Sequence, residues 1–278
     1  METKKLTIAI PVKNEADTIS DQLMGMLDAY KDIAIFLVSD NASTDGSLEK
    51  LRKISSRYNE LDIFVQKEDI GAEENFKFLL NKSNTKYFMW VGGDDALQGD
   101  LQPALDILDR DAEIGAISFV GSFRSKHSEN LTFDKCNAPI INEDRCKRLC
   151  SLLLNPGANS RFYSMYRRSA LVKKIDGYLT GTLGADMYFS MSFVADYKWD
   201  YFDKVSLVRS YGISSNPLKL RERYGFYGIS KFIFFPKFLG MILKLLVNKR
   251  CFFCLSYLFL YWLRLFVSPL KHYFNNKS

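Results

Sequence analysis

Two adjacent carboxylates, Asp94 and Asp95, follow the run Tyr87-Phe-Met-Trp-Val91 and a glycine pair, Gly92-Gly93. The run is aromatic, β-branched or apolar throughout and reads as a buried strand. The glycines let the backbone turn sharply and leave room for close approach. In an open α/β sheet, ligands bind beyond the carboxyl ends of the strands, where these two acids fall. Two carboxylates with no base beside them are costly unless a cation joins them. Oxygen donors of this kind suit Mg²⁺ or Mn²⁺, which usually also take substrate phosphates. Gly-Gly-Asp-Asp is also good turn chemistry anywhere, so the rest of the chain must decide between a cation site and a solvated turn.

The elements that have to position these acids alternate in type. Leu6 to Val12 is a near-continuous apolar run, as a strand buried on both faces would be. A polar loop, Lys13 to Asp17, precedes a helical pattern over Thr18–Tyr30, with apolar residues at Ile19, Leu23, Met26 and Leu27. Ile33 to Ser39 reads as a second strand, ending in the turn cluster Asp40-Asn-Ala-Ser-Thr-Asp-Gly46. A helix over Ser47–Tyr58, a strand over Leu61–Gln66 and a helix from Glu73 to Leu80 follow. Short alternating units predict a parallel or mostly parallel sheet covered by helices. Three strand ends then converge on one edge with Lys13, Asn14 and Glu15; Asp40 and Asn41; and Asp94 and Asp95. GxGxxG and GxxxxGK[ST] are both absent. With neither glycine cradle nor Walker lysine, a metal on Asp94 and Asp95 is the natural binder of a diphosphate.

Taken in order, Thr7-Ile-Ala-Ile-Pro-Val-Lys-Asn-Glu15, Val38-Ser-Asp-Asn-Ala-Ser-Thr-Asp-Gly-Ser47, Ile70-Gly71 with Asn75, and Trp90-Val-Gly-Gly-Asp-Asp-Ala-Leu97 resemble the successive motifs of family 2 glycosyltransferases. The match is close over Thr7–Leu97 and looser to about Tyr211, and within the family it looks most like O-antigen and capsule sugar transferases, abequosyltransferase-like ones included. The resemblance implies a GT-A fold and a nucleotide-sugar donor. It places Pro11, Lys13 and Glu15 in the first nucleotide-contacting loop and Asn41 and Asn75 in the donor-binding set. Asp40 matches the acid that bonds a pyrimidine base, a role that suits a carboxylate facing a ring N–H. Asp94 and Asp95 match the DxD-type motif, one near the ribose and one on the metal. Many members carry an acid where Gly92 stands, so this chain has one carboxylate fewer.

Further on, Leu101–Leu108 and Glu143–Leu154 read as helices and Gly115–Gly121 as a strand, while His127–Ile141 reads as an irregular loop. A Gly/Thr-rich loop, Gly177 to Gly184, delivers Asp186 to the start of an apolar helix over Met187–Val194. An acid there is favoured by the helix dipole alone. The family usually has an acidic pair at this place, its aspartate being the general base; here Ala185-Asp186 leaves only Asp186 for the task. His127 and His272 read as surface residues.

The 278 residues, 47% hydrophobic and 25% charged, suit one large core with or without an appendage. The net charge of +6 is unevenly placed. From Leu218 onward there are eleven Lys/Arg and one acid; the preceding 217 residues carry 27 bases and 31 acids. That segment is rich in Phe, Leu and Tyr, with Lys237 and Lys244 on one helical stripe and Leu239, Ile242 and Leu245 on the other side. Such helices lie in a membrane interface, and Cys251–Leu270 is long enough to span one. Nucleic acid is disfavoured because the lysines are spread among aliphatics. Arg221 and Arg223 could reach a diphosphate or face solvent. The five cysteines have neither disulfide nor zinc spacing and read as apolar packing in a reducing compartment. The N-terminus does not read as a signal peptide.

The chain therefore divides into an expected catalytic domain, 1–217, with nucleotide-binding (1–100) and acceptor (101–217) halves, and a membrane-association segment, 218–278. The expectation is an inverting, metal-dependent transferase acting on a polyprenyl-diphosphate-linked saccharide, docked at an anionic surface on the cytoplasmic face of the bacterial inner membrane. Two other readings stand beside it: a membrane-docked nucleotide-sugar-binding protein without catalysis, and an oligomer whose basic segment is a subunit interface.

Overall fold

Apolar side chains on both faces of β1 (Leu6–Val12) put it at the centre of a sheet, buried at every position except the partly exposed Pro11. Ile8 and Ile10 enter the core on one side and Ala9 the core on the other, as the two-residue period of a strand requires. In the computed structural model, which describes residues 4–125, 128–134, 138–157, 159–177, 184–210 and 236–261, β1 pairs in parallel with β2 (Ala34–Asp40) and with β4 (Tyr87–Trp90). The short strand β3 (Leu61–Val65) extends the parallel set beyond β2. Parallel neighbours need crossover connections, and α1 (Ile19–Tyr30), α2 (Ser47–Ser55) and α3 (Ala72–Lys82) supply them.

Beyond β4 the sheet becomes mixed. After β5 (Ala96–Gln98) and α4 (Gln102–Arg110) come β6 (Ile114–Ser125), β7 (Ser128–Phe133), α5 (Arg145–Leu154), β8 (Met165–Arg167), α6 (Arg168–Val172), α7 (Ala185–Val194), β9 (Lys198–Ser210) and α8 (Pro236–Asn248). The strand order is β3-β2-β1-β4-β8-β6-β9-β5, with β7 paired to β6. β8 runs antiparallel to both β4 and β6, whereas β9 runs parallel to β6. β4 and β5 are consecutive in the chain but pair with opposite parts of the sheet, β5 with β9. The sheet therefore curls, and the β4–β5 connection carrying Asp94 and Asp95 meets the end of β9.

Two points depart from the sequence reading. The expected irregular loop over 127–141 contains β7, in register with β6 from Ser122–Phe133 to Arg124–Leu131. The cysteines do more than pack: Cys146 of α5 is disulfide-bonded to Cys251, a pairing 105 residues apart that local spacing could not reveal. The described part of the basic C-terminal segment belongs to the main core. Ile242, Leu245, Leu246, Cys254 and Leu258 are buried in the same cluster as Trp90, Phe162, Phe189 and Trp199, and α8 lies against α7. No helix among the described residues is long and apolar enough to cross a membrane. His127, His272, Arg221, Arg223, the division at 217/218 and residues 262–270 of the candidate span lie outside the described residues.

Candidate active site

The turn after β4 closes with the Asp95 N–H donating to Gly92 O at 3.1 Å. It folds both carboxylates back over the glycines. A Cβ on Gly92 would sit 2.8 Å from Asp95 Oδ2 and 3.1 Å from Asp94 Oδ1; a Cβ on Gly93 would sit 1.9 Å from Glu15 Oε2. So three acids from two strand ends crowd one pair of glycines. β9 fixes the turn from the far side: the Ser210 N–H donates to Asp95 Oδ1 at 3.0 Å, and Ser210 Oγ donates to Asp94 O at 2.8 Å.

Crowding shows in the acidities. Burial, helped by the charges of Asp94, Asp95 and Asp45, pushes the Glu15 carboxyl up to about 8. Burial also raises Asp95 to about 6; Asp94 adds to this and Arg209 opposes it. Glu15 Oε2 is buried without a hydrogen-bond partner among the described residues. A cation beside these groups would relieve the repulsion. The donor set is all oxygen, which fits Mg²⁺ or Mn²⁺. No group of three or more Asp, Glu, His or Cys among the described residues is arranged to hold a metal by itself.

One strand over, Asp40 ends β2 almost fully buried. Its Oδ2 accepts from the Ser43 N–H at 3.2 Å, which makes the expected turn. Its Oδ1 is buried without a partner among the described residues. The turn therefore uses only half of the carboxylate. Asn41 is spent on structure: Nδ2 donates to Asp69 Oδ1 at 2.7 Å and Oδ1 accepts from the Ile70 N–H at 2.9 Å. Lys13 bridges the same loop, donating to Asn41 O and pairing with Asp69 at 2.9 Å. Asn75 Nδ2 donates to Ser39 O at 3.2 Å, beside Asp40, while its Oδ1 has no partner among the described residues. Pro11 lies on β1 opposite Ser39.

Asp186 stands in the first turn of α7, after Gly184 in a left-handed conformation (φ 91°). Asn159 Nδ2 donates to Asp186 Oδ2 at 3.0 Å, and Ser190 Oγ, one turn further along the helix, donates to Asn159 Oδ1 at 3.0 Å. Asn159 itself has φ 57°, a conformation that asparagine tolerates better than most residues. Between the two carboxylate groups lie residues that sequence reasoning missed. Arg209 stacks over Tyr163, with the guanidinium carbon 4.4 Å from the ring centroid. Burial works against the charge of Arg209, but Tyr163, Asp95, Asp186 and Asp134 surround it and raise its pKa. Tyr163 is pushed up to about 12 by burial and by Asp95, Asp186 and Asp94, against Arg209. Asp95 and Asp186 therefore both act on Arg209 and Tyr163, and Asp94 acts on Tyr163, so the three acids lie within electrostatic reach of one stacked pair. An aromatic run links β4 to α7: Trp90 stacks on Phe162 at 5.3 Å, and Phe162 meets Phe189 of α7 edge-on at 5.5 Å.

A curled mixed sheet with a nucleotide-type parallel half and acids beyond its central strand is the GT-A architecture. Solved structures carry the same fold. Staphylococcus aureus TarS 1–349 superposes with a TM-score of 0.56 at 17% identity, covering 78% of this chain and 62% of that one. Its complex with UDP-GlcNAc gives 0.56 at 16%, with 78% and 64% covered. The mannosyltransferase PcManGT from Pyrobaculum calidifontis, in complex with GDP-Man and Mn²⁺, gives 0.55 at 15%, with 96% and 74% covered. The chain thus spans less than two thirds of TarS 1–349. No curated protein matches the sequence. The model of the glycosyl transferase family 2 matches residues 7–173, more than half of the sequence, and the chain belongs to that family.

Proposed function

We propose that this protein is an inverting glycosyltransferase that moves a sugar from a nucleotide-sugar to a lipid-linked saccharide, polyprenyl-diphosphate-borne, in surface-polysaccharide assembly (O-antigen or capsule). The observation that supports the reading is that one stacked pair, Arg209 and Tyr163, feels the charges of both Asp95 and Asp186. The donor lies across the strand ends. Asp40 Oδ1 accepts from the base, and Asn75 and the Lys13–Asn41–Asp69 bridge hold the loops around it. Lys13, Pro11 and Glu15 line the first loop. Asp94 and Asp95 face the ribose and diphosphate, and they would hold a Mg²⁺ or Mn²⁺ ion. Such an ion, when bound, would supply positive charge for the departing nucleoside diphosphate.

Asp186 takes the proton from the acceptor hydroxyl. The hydroxyl oxygen bonds to the anomeric carbon as the bond from that carbon to the diphosphate oxygen breaks, and configuration inverts. Asn159, by holding Oδ2, orients the carboxylate for this step. Arg209, a fixed positive charge that interacts with both Asp95 and Asp186, steadies the diphosphate as negative charge grows on it.

A membrane-borne acceptor fits the C-terminal segment. While one side of α8 is buried, Leu243, Val247, Phe252, Phe253 and Phe259 are exposed beside the exposed Lys244 and Arg250. An apolar face rimmed by cations suits an anionic bilayer, which accords with a peripheral position on the cytoplasmic face of the bacterial inner membrane. Incubating the full chain with Mn²⁺, a panel of nucleotide-sugars and a polyprenyl-diphosphate saccharide tests the proposal. Donor-dependent elongation of the lipid is the expected result; donor binding without turnover under any pairing would favour a binding protein.

A further inference from the structure

Four buried cysteines meet where the C-terminal segment crosses α5, and the proposed reaction uses none of them. Cys146 and Cys150 stand one turn apart on α5, while Cys251 and Cys254 bracket a tight turn at Phe252–Cys254. Cys146 is bonded to Cys251. The remaining pair is free, yet Cys150 Sγ lies 2.7 Å from Cys254 Sγ, and Cys254 Sγ also donates to Cys146 O at 3.3 Å. Both free side chains are buried, and burial raises both thiols, so they are protonated at neutral pH.

We infer that Cys150 and Cys254 are the site of a second disulfide, which with Cys146–Cys251 makes a double clasp fastening residues 251–261 to α5. The segment matters beyond its own packing, since Tyr261 at its end is buried within electrostatic reach of Asp186. Closure is a two-electron oxidation. One sulfur, losing its proton, attacks a low-molecular-weight disulfide such as oxidised glutathione and releases one thiol. The second cysteine sulfur then displaces the other half, so the oxidant leaves as two thiols and one protein S–S bond has formed. Because all four sulfurs are buried once the segment is docked, closure accompanies docking. The same burial shields the finished clasp from small thiols.

The test refolds the reduced, denatured full chain in the presence of oxidised glutathione, then denatures and alkylates it without reduction. One alkyl group, on Cys136, is expected before reduction and five after it, with peptide mapping linking Cys150 to Cys254. Three or five alkylated thiols before reduction would overturn the inference. So would one zinc ion per chain whose chelation exposes the thiols. Reduction should lower the Tm by roughly 5–15 °C. The Cys150→Ala/Cys254→Ala variant should lose a clear part of that shift; an undiminished shift would contradict a second bond.

Discussion

Arg209 lies over the ring of Tyr163, 4.4 Å from guanidinium carbon to ring centroid, and both Asp95 and Asp186 act on this stacked pair. Removing the cation takes away a positive charge with which Asp95, Asp134 and Asp186 all interact. Arg209→Met is expected to lower stability by about 1–3 kcal/mol and transfer by at least about tenfold. Arg209→Lys should not restore transfer, because a point ammonium lacks the planar stacking face. Chemical denaturation and initial rates on both variants check this.

Glu15 makes the unliganded protein pH-sensitive. Its carboxyl, raised to about 8 from an ordinary 4.5, keeps its proton in the folded state where the unfolded chain has already lost it. Folded protein then binds more protons than unfolded protein between about pH 4.5 and 8, so stability falls as pH rises through that window and levels off above it. Asp95 adds a smaller fall between its ordinary 3.8 and about 6. At about 1.4 kcal/mol per pH unit, the fall from Glu15 is at most about 5 kcal/mol. Thermal melts from pH 5 to 8.5 should show it, with Glu15→Gln flattening the curve and Mn²⁺ reducing the slope in the unaltered protein.

Gly92 marks the missing family acid, and the geometry gives a reason for it. The Asp95 and Asp94 carboxylates occupy the space a side chain at 92 would need. Gly92→Asp should therefore displace Asp95 from Ser210 and weaken Mn²⁺-dependent donor binding by about tenfold or more, rather than improve it. Isothermal titration with a nucleoside diphosphate and Mn²⁺ reads the change directly.

Asn159 orients Asp186 and accepts from Ser190. Asn159→Gly keeps the left-handed backbone accessible while removing the amide. It is expected to cut kcat about 10- to 100-fold with donor KM nearly unchanged, because in the proposed reaction Asp186 serves the acceptor.

The legible parts of this protein were the local ones. Asp40 and the Asp94–Asp95 pair announce themselves because turn residues follow apolar runs directly, and the alternation of β1, α1, β2 and α2 fits within short windows. Asp186 was visible as an acid opening an apolar helix. Arg209 and Ser210 were not, since they reach the site through pairing of β9 with β5 and β6, and Ser210 meets Asp95 across 115 residues. Long-range register carries no local signature. The same holds for Cys146 and Cys251, and for β7, whose polar residues read as a loop until β6 is present to pair with them.

The central claim is that Asp186 removes the acceptor proton while Asp94 and Asp95 serve the donor. The direct measurement is single-turnover transfer and donor affinity, side by side, in Asp186→Ala with Mn²⁺. The account predicts transfer reduced at least about a thousandfold with donor affinity within about twofold of the unaltered protein. Transfer at an undiminished rate, or loss of donor binding in step with transfer, would contradict it.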